Sequence, residues 1–280
     1  MTVIAMSQEM GTLGRDVASG VASALGLGLV RHEIGDAAAD RMHVKKSLVR
    51  RFREGQAGWL EKRQVDEGSL ELYTAEQVFD HALAGNVLIR GWGATLLLFP
   101  VRHVPCIRVC APLENRVRWL MERLETDDPD IAQDEIARSD AAHATRMRHA
   151  FGVTLGDPLL YDLVLNTGRV SIESCVEQVV ALARRPEFQP TDASVAHLRN
   201  LALQARIQTS LRAQDTDGHI NITPEVDGGR VVLRGVVVDD RERHRVATVT
   251  SAVPGVTSVE NALRVMKATH RYADDGQPER

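Results

Sequence analysis

The order of three short segments at the N-terminus constrains this chain more than any other feature. Val3, Ile4, Ala5 and Met6 form a continuous apolar run of the kind a buried parallel strand has. The polar, glycine-containing stretch SQEMGTLGRD follows at residues 7–16. Gly14, Val17, Ala18, Val21, Ala22 and Leu25 then recur at three- and four-residue intervals, the apolar stripe of a core-facing helix that Gly26 ends. Strand, glycine loop and helix in that order aim the N–H groups of the loop and of the first helical turn at one spot, where the helix dipole favours an anion. The same order is also met in a plain strand-to-helix turn.

Set against the phosphate-loop pattern G-x-x-x-x-G-K-[ST], Gly14 falls on the second glycine, Arg15 on the lysine, Asp16 on the hydroxyl residue and Glu9 on the first glycine. Arg15 brings a planar fork of donors in place of a compact ammonium. Asp16 offers a carboxylate oxygen, which suits a hard cation such as Mg²⁺. Glu9 is the substitution that resists a polyphosphate, because two negative groups repel unless a cation stands between them. Leu13 is costly if its position requires a positive φ.

A chain of 280 residues exceeds one typical domain and supplies a full core to its larger part. With 34 Lys and Arg against 38 Asp and Glu, no global basic field points to nucleic acid as a partner. No apolar run approaches the roughly 20 residues of a membrane helix, and the N-terminus lacks the basic and apolar segments of a signal peptide. Cys106, Cys110 and Cys175 show no C-x-x-C spacing, which argues against a disulfide framework or zinc site and fits buried thiols in a reducing cytoplasm. The expected location is cytoplasmic. The ten histidines show no metal-ligand spacing.

Strand-like and helix-like segments then alternate as in an α/β domain. NVLIRG at 86–91, CIRVCA at 106–111 and YDLVLNTG at 161–168 read as further strands, and Leu113, Val117, Leu120, Met121 and Leu124 form the apolar face of a helix. Ser171 is placed to cap a helix carrying Ile172, Val176, Val179 and Ala183. This order implies a mainly parallel sheet with ligands at the carboxyl ends of its strands. After residue 183 the composition changes. Residues 184–194 read as a linker, residues 195–270 as a smaller α+β unit of order αββαβ with an Asp-Gly-Gly hairpin turn, and 271–280 as a disordered tail.

From TVIAMSQEMGTLGRDVASG through IRGWGA and APLENRV to YDLVLNTGRVS, residues 1–183 resemble the cytidylate kinase-like family, a branch of the nucleoside monophosphate kinases. The second unit resembles a BON domain in VDGGRVVLRGVV and VPGVTSVENALRV. The resemblance implies a P-loop kinase-like parallel sheet with flanking helices, followed by a small α+β BON domain. It implies ATP and Mg²⁺ as cofactors, a nucleoside monophosphate as substrate, and a protein or anionic lipid surface as the partner of the BON unit. Self-association as a homo-oligomer stays open.

The same resemblance distributes the site residues. Ser7, Gly11, Thr12, Gly14, Arg15 and Asp16 would hold the donor phosphates, with Asp16 serving the metal. Glu33, Arg90 and Trp92 would face the acceptor, Trp92 standing where the family usually has Arg. The segment ARSDAAHATRMRHAFG matches the mobile lid, so Arg138, Asp140 and Arg146 would clamp the transferring group together with Arg15 and Asp16; a solvated helix with internal ion pairs is the alternative. HVKKSLVRRFREG at 43–55 either guides a nucleotide or is the wet face of a helix. Trp92 and the altered loop keep a second expectation open, a catalytically impaired nucleotide sensor acting through its BON unit.

Overall fold

The computed structural model describes residues 1–91, 93–214 and 221–266. Trp92, the end of the expected BON unit at 267–270 and the expected tail at 271–280 lie outside the described residues. Contacts divide the chain into two compact units that meet between Thr209 and Ser210.

The first unit is built on β1 (Val3–Gln8), β2 (Gly28–Val30), β3 (Val87–Arg90), β4 (Cys106–Cys110) and β5 (Leu163–Asn166). They form a parallel sheet in the order β2-β3-β1-β4-β5. Around it stand α1 (Gly14–Leu25), α2 (Glu33–Arg41), α3 (Lys46–Arg53), α4 (Trp59–Lys62), α5 (Glu67–Ala84), α6 (Ala94–Leu98), α7 (Leu113–Leu124), α8 (Pro129–Phe151), α9 (Ile172–Ala183) and α10 (Asp192–Ala213). The strands are mostly apolar on both faces, because alternate side chains enter different cores, with polar residues at the carboxyl ends of β1, β3 and β5 and Arg108 inside β4. Val3, Ala5, Val87, Ile89 and Cys106 meet α2, α5, α6 and α10 on one face. Ile4, Met6, Leu88, Ile107 and Val109 meet α1 and α9 on the other.

β1 runs two residues further than its apolar segment, because Ser7 pairs with Arg108 and Gln8 with Val109 across β4. The loop therefore begins at Glu9. As expected, Gly26 ends α1 in the left-handed conformation and the Ser171 side chain accepts from the Ser174 N–H at the start of α9.

The expected boundary at 184–194 differs from the one the contacts make. α10 begins at Asp192, and its Leu198, Ala202 and Ala205 are buried in the first unit's core beside Val78, Phe79 and Val101. Arg206 donates to Asp80 at 2.6 Å, and His103 Nδ1 lies 2.7 Å from Ser194 Oγ. The helix thus completes the first unit before the chain enters the second.

In the second unit β6 (Asn221–Asp227) and β7 (Arg230–Val237) form the expected hairpin, Gly228 and Gly229 supplying the positive φ of the turn. After α11 (Asp240–Ser251), β8 (Ser258–Asn261) and β9 (Arg264–Val265) both run parallel to β7. The single last strand expected is two short ones, because the Asn261 side chain turns back to accept from the Leu263 N–H. No helix among the described residues is long and apolar enough to cross a membrane.

Trp59, Trp92 and Trp119 all precede Thr209, so tryptophan fluorescence reports on the first unit. Leu198→Ala is expected to destabilise that unit by about 2–4 kcal/mol, read as a lower urea midpoint of the tryptophan transition. An unchanged midpoint would contradict the docking of α10.

Candidate functional site

The loop after β1 holds a shape its sequence does not favour. Leu13 takes a left-handed conformation, φ 56° and ψ 14°, immediately before α1. That conformation disfavours a branched side chain. It is held by its surroundings: the Thr12 hydroxyl donates to the Glu9 carbonyl at 2.9 Å, and Thr167 donates to the Thr12 carbonyl at 2.7 Å. The first bonds of α1 run from the Asp16 and Val17 N–H groups to the Leu13 carbonyl, which leaves the N–H groups of Gly14 and Arg15 ahead of the helical ladder.

Both glycines are needed for contact. Gly11 has φ 78°, and a Cβ there would come within 3.0 Å of the Arg116 backbone. A Cβ on Gly14 would come within 2.9 Å of the Gln8 Cβ; the Gln8 amide lies over this glycine, its buried Oε1 without a hydrogen-bond partner.

Beneath the loop lies a buried ion network. Arg108 on β4 donates to Glu9 and, at 3.3 Å, to the Tyr161 hydroxyl. Arg116 on α7 donates from Nε to the Met10 carbonyl at 2.6 Å and from its two Nη atoms to both oxygens of Asp140 at 2.9 and 2.7 Å; its Nη1 also lies 3.5 Å from Glu9. Glu9, the residue most at odds with a phosphate loop, is therefore turned onto two buried guanidiniums, which offset its charge.

Above the loop, a cleft of ≈ 580 Å³ opens at the carboxyl ends of β1 and β3. Arg15, Arg31, Arg50, Arg53, Arg90, Arg123 and Arg146 line it against only four carboxylates, Glu9, Asp16, Glu54 and Asp140. The Nε atoms of Arg90 and Arg146 are buried without a partner. Desolvation pushes Arg53 down to about 9 and Arg146 down to about 10, the neighbouring charge of Arg146 adding to the shift of Arg53. Desolvation, then Arg31 and Arg15, lowers Arg90. His143 is pushed down to about 3 by desolvation and then by Arg146, Arg53 and Arg108, so its ring is neutral. Arg53 and Arg146 also line a smaller apolar cavity of ≈ 190 Å³ with Phe52, Leu70, Leu97, Met147 and Phe151.

Of the residues expected at the site, Gly11, Thr12, Gly14, Arg15, Asp16, Arg90, Asp140 and Arg146 line this cleft. Ser7 does not, because it stays in the sheet beside Arg108. Glu33 does not either: its carboxylate accepts from the Arg31 N–H at 2.7 Å, which holds it below the usual carboxylate range, and Arg31 and His32 face the cleft instead. Arg138 pairs with Glu135 on the same helix and is half-exposed, away from the cleft. Asp140 lies at the cleft with both oxygens taken by Arg116. The basic run divides: Arg51 pairs with Glu61, Arg50 reaches the cleft edge with its guanidinium donating to both oxygens of Asp36 at 3.0 Å, and Arg53 lines the cleft.

Arg108, Arg116, Arg31, Trp119 and Arg123 were not singled out by the sequence. Arg108 had a signal, a charge inside the apolar run CIRVCA, and Arg116 had another, a charge on the apolar stripe of α7. Likewise, the fold brings ligand atoms of Glu67 and Glu71, four apart on one face of α5, and of His149 on α8 within 4.8 Å of one another; the spacing carries the first two and not the third.

A parallel sheet with a glycine loop between β1 and α1, and an arginine-lined cleft above it, defines a P-loop kinase-like nucleotide-binding fold. The model of the cytidylate kinase-like family matches residues 3–169, and the chain belongs to that family. The BON domain model matches residues 200–267. The cytidylate kinase of Staphylothermus marinus is 26% identical over 109 residues, 39% of this chain and 60% of that protein, so the chain spans less than two thirds of this relative. The cytidylate kinase of Pyrobaculum aerophilum is 28% identical over 184 residues, 63% of this chain and 89% of that protein. Among solved structures, an uncharacterized protein from Eubacterium ventriosum shares the fold with a TM-score of 0.52 at 16% identity, over 66% of this chain and 100% of that one.

The neutral His143 has a pH consequence. Its folded pKa lies below that of the unfolded chain, about 6.5, so the unfolded state takes up the proton first and stability is lost as pH falls from about 6.5 towards 3. His143→Asn should flatten this limb: its unfolding free energy from urea titration falls less between pH 6.5 and 4.5 than that of the wild type, the slopes differing by at most about 1.4 kcal/mol per pH unit. Equal slopes would contradict a neutral, desolvated ring.

Proposed function

We propose that the first unit transfers the terminal phosphoryl group of MgATP to a nucleoside monophosphate of the CMP kind, and that the BON unit is a regulatory or binding module for a protein or an anionic lipid surface. The observation that carries this reading is the pair of buried, unpartnered Nε atoms on Arg90 and Arg146, in a cleft where seven arginines face four carboxylates. Donors desolvated without acceptors are stabilised by an anion that supplies them.

Roles follow from position. Gly14, Arg15 and the N-terminus of α1 hold donor phosphates, with Gly11 and Thr12 shaping the loop. Arg90, with Arg31, holds the acceptor's phosphate, and Trp92, next in sequence to the cleft residue Gly91, is assigned to the acceptor side. Arg146 and Arg53 neutralise charge as it spreads over the transferring group, which is most of what phosphoryl transfer asks of a protein. The apolar cavity beside these two arginines suits the acceptor's ring.

Asp16 suits Mg²⁺: it stands in the first turn of α1 on the cleft wall, outside the network that occupies Glu9 and Asp140. When bound, the ion supplies neutralisation of phosphate charge.

A second reading, nucleotide binding without transfer, is favoured by Gln8, which lays an amide and not a cation over Gly14, and by Arg138, which faces Glu135. One experiment separates the two. The full chain is incubated with MgATP and a panel of nucleoside monophosphates including CMP, products are followed by mass spectrometry, and MgATP binding is measured in the same samples. The expected result is a phosphorylated nucleotide that disappears with Arg15→Ala, together with MgATP binding, while the circular dichroism spectrum is kept. MgATP binding without any product would favour the second reading, and neither binding nor product would overturn both.

A further inference from the structure

We propose that Arg116 is a positioning residue: its single guanidinium ties the phosphate loop to α8, so that an anion seated in the loop sets where α8 holds Arg146. The inference rests on the phosphate-loop reading above and adds a coupling between the loop and the clamp.

The geometry is that of a junction. Arg116 is 5% exposed, and its Nε holds the Met10 carbonyl in the loop while its two Nη atoms hold both oxygens of Asp140 on α8. Gly11 rests directly on Arg116, where a Cβ would come within 3.0 Å of the Arg116 Cα and 3.1 Å of its Cβ, so the loop is seated against this residue of α7. Below it, Leu120 of α7 packs with Ala132 and Ile136 of α8 in a small buried cluster, which gives α8 a pivot. Beyond the pivot, Ser139, His143 and Arg146 follow one helical face and line the cleft.

The loop contact, the carboxylate fork and the pivot thus share one residue. Lysine cannot replace it, because a compact ammonium does not span a carbonyl and both oxygens of a carboxylate in a fixed fork. The junction also explains the position of Asp140: its carboxylate is consumed in holding α8, which leaves the arginines above it in excess.

The test uses the full chain, with inorganic tripolyphosphate as the probe. Affinity is measured by titration calorimetry, and the exchange of backbone amides in residues 129–151 is measured with and without saturating probe. In the wild type, saturation should slow exchange around residues 139–147 by about fivefold or more. In Asp140→Asn, tripolyphosphate should still bind and this response should disappear. Arg116→Lys should lose the response as well, and the double variant should lose nothing further. Asp140→Glu, which keeps the charge on a longer arm, should recover part of the response, as a packing role alone would not.

Binding to the wild type without any change in α8, or a full response in Asp140→Asn, would overturn the coupling. No binding to the wild type would overturn the phosphate-loop reading and the coupling with it. Thermal unfolding of each variant is followed in parallel. If Asp140→Asn does not fold, Asp140→Glu and Arg116→Lys decide the question by the same readout, a full response in Arg116→Lys overturning the coupling.

Discussion

Two arginines buried under the phosphate loop determine where the rest of the site can stand. A guanidinium taken out of water needs its charge matched and its donors used. Arg108 finds Glu9, and Arg116 finds Glu9, Asp140 and a loop carbonyl. Removing one partner from such a group leaves an uncompensated buried charge, which typically costs about 3–5 kcal/mol. The network therefore fixes the start of the loop, the beginning of α7 and the middle of α8 as one arrangement. It also accounts for a carboxylate at the first position of a phosphate loop beside a cleft lined by arginines.

The charges above the loop are arranged in the opposite sense. With Glu9 and Asp140 drawn downward, the cleft keeps arginines that repel one another and a histidine that stays neutral. Low-dielectric walls strengthen this field. A polyphosphate there would relieve the repulsion and give the Nε–H groups of Arg90 and Arg146 acceptors. The strained Leu13 belongs to the same economy, since a residue held in an unfavourable backbone conformation persists where the surroundings over-determine it, here through Thr12 and Thr167.

Local patterns made much of this legible. The continuous apolar runs of β1 and β3 and the nearly apolar run of β4 announced strands buried on both faces, the stripe from Gly14 to Leu25 announced α1, and the position of Leu13 raised the question of its φ. What sequence spacing does not carry is pairing across distance. Glu9 meets a partner 99 residues away, and the apolar residues of α10 reach the first unit's core past a proline-rich segment that reads as a linker. Arg138 and Asp140 are two positions apart, about 200° around a helix of 3.6 residues per turn, and in the structure Arg138 pairs with Glu135 while Asp140 pairs with Arg116. The arginines within CIRVCA and on the stripe of α7 are charges in apolar patterns, which mark buried pairs.

The reading of this cleft turns on the buried Nε–H groups of Arg90 and Arg146, which have no acceptor among the described residues and would report directly on an anion. Nitrogen-15 resonances of the arginine Nε–H groups, assigned by substitution and followed during titration with MgATP, make the most direct measurement. The account predicts saturable shifts of the Arg90 and Arg146 signals at the same concentrations, with slower exchange against solvent. Signals of these two residues that stay unchanged while MgATP binds elsewhere, or while no binding occurs, would contradict it.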